Sequence, residues 1–145
     1  MYKKILVPLD GSAVAETVLP HVQDLAQRGD SQIILLRVAV EPIYDLLFTG
    51  AKLAAATLEN SVTAGLDAKI YLEIIGARLQ RDGLNVTTEV RAGRIADTVL
   101  GYAEESGVDL IVLCAKGSGQ HNGFALGSIT YRIMHGAHVP VLLIH

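Results

Sequence analysis

"KKILVPLDGSAVAETVLPHVQDLAQRGDSQIILLRVAV", residues 3–40, sets two nearly continuous apolar runs around a stretch with a different period. Runs of Ile, Val and Leu of this kind belong to strands covered on both faces, as strands of parallel sheets are. Between them Val14, Val18, Val22 and Leu25 recur at helical spacing and lay one apolar stripe along a helix. Strand, helix and strand in this order predict two parallel strands joined by a helical crossover.

Working outward, "DLIVLCA" (109–115) is a third buried strand, and "VTTEVRA" (86–92) and "VPVLLIH" (139–145) are two less central ones. Helical patterns fill the gaps: Leu58, Val62, Leu66, Ile70 and Ile74; Ile95, Val99 and Tyr102; Leu126, Ile129 and Ile133. The alternation predicts one α/β domain over residues 1–145, a doubly wound, Rossmann-like, five-stranded parallel sheet with helices on both faces. Gly65 and Gly76 fall inside the long pattern, so that helix is expected to kink or split. Val40–Gly50, with Pro42 and Gly50, reads as a loop, either a plain surface connection or a lid.

Half of the 145 residues are hydrophobic and 19% are charged, enough apolar material for one core. The net charge of −3, with twelve scattered Lys and Arg, does not suit a nucleic-acid partner. Apolar runs such as Ile33–Val40 are broken by charge at Arg37 and fall short of the roughly 20 residues of a membrane span. The first ten residues are too short in apolar content for a signal peptide, so a cytoplasmic location is expected. Cys114 is the single cysteine, which rules out an internal disulfide. His135 and His138 have metal-like spacing but no carboxylate or cysteine near them in sequence, and no metal site is expected.

Ligands of doubly wound sheets sit beyond the carboxyl ends of the strands, where strand order reverses. The eligible loops follow Leu9, Val38, Ala92 and Leu113. In "PLDGS" (8–12), Asp10 closes the strand, Gly11 permits a tight turn and Ser12 is placed to cap a helix; Asp10 is either a turn residue or a ligand acceptor. In "CAKGSGQHNGFALGSITYRIM" (114–134), a helix starting near Gly127 offers unpaired N–H groups to an anion. Gly127 admits an oxyanion close to the backbone, Ser128 and Thr130 add hydroxyls, and Lys116 is within reach of a phosphate. Gly117, Gly119 and Gly123 suit a loop that wraps a ligand, or simply a flexible loop. "GSGQHNG" does not match the dinucleotide glycine spacing, and "GFALGS" lacks the P-loop lysine.

Together "ILVPLDGS", "LLRV", the spacing Cys114-x2-Gly117-x9-Gly127-Ser128 and the closing "HVPVLLI" resemble the universal stress protein family along the whole chain. The nucleotide-binding members carry Gly-x2-Gly-x9-Gly-Ser/Thr, and Cys114 stands here in place of the first glycine. The resemblance implies ATP, alone or with magnesium, as the ligand. Gly117, Gly127, Ser128, Ile129 and Thr130 would lie near ribose and phosphates, and Asp10 near adenine or ribose. Pro8 and Val38 would wall the adenine pocket and Leu113 would pack on the base, with Leu9, Cys114 and Lys116 in the same set. It also implies a homodimer through Val139–His145, an apolar edge strand that a twofold mate would cover. No catalytic residue is assigned, since Asp10, Lys116 and His121 are all that the loops offer for hydrolysis. Three functions stay open: an ATP-binding stress-response switch, a slow ATPase, and a nucleotide-independent dimerisation scaffold.

Overall fold

A computed structural model describes residues 1–39, 51–116 and 126–145, with side chains from residue 65 onward in the long helix that begins at Ala51. The stretch Val40–Gly50, Gly117, Gly119, Gly123 and His121 lie outside the described residues.

The strands β1 (Lys4–Pro8), β2 (Gln32–Ala39), β3 (Asn85–Ala92), β4 (Leu110–Cys114) and β5 (Val141–Ile144) form one parallel sheet in the order β3-β2-β1-β4-β5. The helices are α1 (Ala13–Glu16), α2 (Leu19–Gly29), α3 (Ala51–Arg81), α4 (Ile95–Glu105) and α5 (Ser128–Gly136). The fold is the expected doubly wound one, and the two less central strands are its edges. The closing strand is shorter than the apolar run that suggested it, starting after Pro140.

Because side chains alternate across a strand, the runs supply two cores at once. Ile5, Val7, Ile33, Leu35, Leu110 and Val112 pack under α1, α2 and α3. Leu6, Ile34, Leu36, Ile111 and Leu113 pack under α4 and α5. Each large side chain removed from water in this way contributes about 1.5–3 kcal/mol.

The helices depart from the sequence expectations in three places. The stripe from Val14 to Leu25 is divided between α1 and α2, because Pro20 cannot continue a helix past Glu16; its ring would meet the carbonyl four residues back. In the first turn of α2 the missing N–H costs nothing. Val14 is consequently exposed while Val18 and Val22 are buried. Second, α3 runs unbroken through Gly65 and Gly76. Gly76 serves a close approach instead, since a Cβ there would lie 3.1 Å from Thr88 Cγ2 on β3. Third, α3 buries Ala68, Leu72, Ile75 and Leu79, whereas Leu66, Ile70 and Ile74 face outward at 57, 55 and 66% exposure. No helix among the described residues is long and apolar enough to cross a membrane.

Candidate functional site

The chain lays β1, β2 and β3 outward in one direction and then returns to add β4 and β5 on the other side of β1. The reversal lies between β1 and β4. Their paired positions are Ile5↔Leu110 and Leu6↔Ile111, so the ladder stops short of Pro8 and Cys114 and the strand ends part. A cavity of about 400 Å³ fills that opening, within the range of about 300–1,000 Å³ of small-molecule sites.

Every described residue of the expected set lines this one cavity: Pro8, Leu9, Asp10, Val38, Leu113, Cys114, Lys116, Gly127, Ser128, Ile129 and Thr130. Gly117 lies outside the described residues. Sequence reasoning missed Ala15, Leu36, Ile95 and Ile133 in the lining. Leu36 was within reach, because it shares a strand face with Val38 two residues on. Ile95 and Ile133 appear in the sequence simply as members of helical core stripes.

One wall is built by Asp10–Ser12. Gly11 adopts φ +87, a conformation that side chains resist. The turn brings Asp10 Oδ1 to accept from the Ser12 amide at 2.9 Å and from its hydroxyl at 2.5 Å. Ser12 Oγ then accepts from the Ala15 amide at 3.2 Å and caps α1. Asp10 thus holds its own turn as well as facing the cavity.

The opposite wall is the start of α5. Gly127 is its N-cap in extended backbone, and among the described residues no side chain caps the helix. The first intrahelical bond is from the Tyr131 amide to the Gly127 carbonyl, 2.9 Å, leaving the amides of Ser128, Ile129 and Thr130 without an acceptor within the helix. These donors carry the positive end of the helix dipole, worth about 0.3–1 kcal/mol to an anion. The two hydroxyls differ. Thr130 is buried and donates to the Cys114 carbonyl at 3.3 Å, tying α5 to β4, whereas Ser128 is exposed. Cys114 is half-buried, with its Sγ 3.8 Å from Thr17 Oγ1. Between the two walls, Leu36, Val38, Ile95 and Leu113 make an apolar slot.

Beneath the Asp10–Ser12 wall, on the other face of β2, Tyr71 of α3 donates to Glu16 Oε1 at 3.0 Å. Burial, then that hydrogen bond and the Glu16 charge, hold its phenol above the ordinary value of 10.0, and the nearby Arg37 does not offset them. Above pH 10 the unfolded chain releases a proton that the folded chain keeps, so stability falls as pH rises. Urea unfolding between pH 8 and 11 checks this: Tyr71→Phe should flatten the alkaline loss, and an unchanged slope would assign it to other groups.

Among the described residues no three His, Cys, Asp or Glu converge as a metal site. His135 lies in the last turn of α5, and His138 faces Glu104 at 3.5 Å.

A profile of the universal stress protein family matches residues 1–145. The universal stress protein MJ0577 of Methanocaldococcus jannaschii is 31% identical over 154 residues, covering 99% of this chain and 95% of that protein. Its solved structure superposes with a TM-score of 0.87 at 30% identity, covering 99% of this chain and 96% of that one. The universal stress protein UspA of Lactobacillus plantarum also reaches 0.87, at 26% identity over 99% of this chain and 98% of that one. A universal stress protein family protein of Arabidopsis thaliana, crystallised with AMP bound, has a TM-score of 0.67 and covers 98% of this chain and 90% of that one. At 16% identity that last likeness speaks of the fold alone.

Proposed function

The chain belongs to the universal stress protein family, and on that premise we propose that it binds ATP in the cavity between β1 and β4 and acts as a homodimeric, nucleotide-dependent switch in the cytoplasm. The observation that carries this reading is the pairing of an apolar slot with an uncapped helix start in one cavity. On this reading the purine ring would lie in the slot lined by Val38 and Leu113, and the phosphates would meet the amides of Ser128, Ile129 and Thr130. A solved relative of the same fold holds AMP.

The energetics are adequate. Micromolar affinity needs about 8 kcal/mol. Charge-assisted hydrogen bonds at about 1.5–3 kcal/mol each, with burial of the base, supply it after ordering costs. Turnover is a different demand. Asp10 and Lys116 are, with Cys114, the ionisable residues among the described lining, and the Asp10 carboxylate is already engaged by Ser12. That engagement favours binding over fast hydrolysis. The test is to titrate ATP, with and without magnesium, while following phosphate release. Micromolar binding with background release is expected; release well above background would make the protein an ATPase, and no binding at millimolar ATP would leave the scaffold reading.

The dimer is proposed through β5. All four of its residues are half-buried, on a strand whose outer backbone edge pairs with no strand among the described residues. Leu142→Arg should convert a dimer into a monomer, halving the mass measured by light scattering. A mass that stays dimeric would move the interface elsewhere.

A further inference from the structure

Arg37 lies between Leu36 and Val38, both of which line the cavity, so strand alternation sends its side chain to the opposite face of β2. There it meets two elements. Its guanidinium carbon stands 5.3 Å from the centre of the Tyr71 ring on α3, in cation–π contact. Its Nη1 occupies the place of the side chain that Gly11 lacks; a Cβ on Gly11 would collide with it and lie 3.1 Å from Cζ and 3.3 Å from Nη2. Tyr71 in turn donates to Glu16, at the end of the short helix that the Asp10–Ser12 turn opens. The turn is thus braced at Gly11 through Arg37, and at α1 through Tyr71.

Building on the nucleotide reading, we propose that Arg37 is a positioning residue for the ATP site: seated on the Tyr71 ring and against Gly11, it fixes the turn that presents Asp10 to the cavity, and through Tyr71 it couples that turn to α3. Arg37 is not among the residues that line the cavity. Its effect passes through the backbone of Gly11, whose φ of +87 is a sparsely populated state that surrounding structure must hold. The planar guanidinium covers a ring and a peptide together, which a flexible or smaller side chain does not.

The test uses the full chain with Arg37→Gln and Arg37→Ala, glutamine keeping most of the stem should alanine disturb folding. ATP affinity is measured by calorimetry, and amide hydrogen exchange is followed in the nucleotide-free protein. Expected is a dissociation constant raised about tenfold, with faster exchange confined to the Ser12 and Ala15 amides, the donors held by the turn. Unchanged affinity in both Arg37 variants overturns the inference. So does weakened binding accompanied by faster exchange throughout the sheet, which would mark general loss of stability. Failure of the unmodified chain to bind ATP overturns the nucleotide reading and, with it, the role of Arg37 in binding.

Discussion

Replacing Gly127 with valine is expected to weaken ATP binding by about a hundredfold or more, equivalent to about 2.7 kcal/mol. The backbone tolerates the change, because Gly127 sits at φ −60 and ψ 147, extended geometry open to any residue. The Ser128, Ile129 and Thr130 amides would remain, and so would the helix dipole. What the branched side chain removes is the approach, since its methyl groups stand over the start of α5 where a phosphate oxygen must come within about 3 Å of an amide. Calorimetric titration of the variant checks this, beside a thermal melt to verify folding. Retained affinity in a folded variant would place the phosphates elsewhere.

The second large effect concerns stability and which side of α3 meets the sheet. Leu72→Ala should cost about 2–5 kcal/mol, because Leu72 is fully buried between α3 and the strands. Ile70→Ala, two residues away and 55% exposed, should stay near the scatter of surface changes, about 0.5 kcal/mol. Against a typical stability of about 5–15 kcal/mol the first is easily read from denaturant midpoints. Equal losses at the two positions would contradict the orientation of α3.

That pair also marks where the sequence was ambiguous. Leu66, Ile70 and Ile74 repeat every four residues, while Ala68, Leu72, Ile75 and Leu79 give a second stripe of equal standing. With apolar residues on two sides, periodicity does not say which side faces the sheet; packing against Thr88 and Val86, close to Gly76, decides. The strands were more legible. Burial on both faces forces Ile, Val and Leu into unbroken runs, so their order and number followed directly. For the site, topology did most of the work. The rule that ligands sit beyond the carboxyl ends of the strands left the loops after Leu9, Val38, Ala92 and Leu113 eligible; the glycine spacing of a resembling family narrowed these to residues that the fold gathers around one cavity, and the sheet order then places the reversal between β1 and β4. Arg37 was visible in sequence only as a charge interrupting an apolar run, because nothing local announces a partner 34 positions away at Tyr71.

The central claim is tested most directly by following backbone amide resonances of the isotopically labelled protein as ATP is added. Binding in the proposed cavity should shift Asp10, Val38, Leu113, Ser128, Ile129 and Thr130 together and saturably at micromolar to submillimolar ATP, leaving the outward stripe of α3 unmoved. Shifts centred on other residues, or none at millimolar ATP, would contradict it.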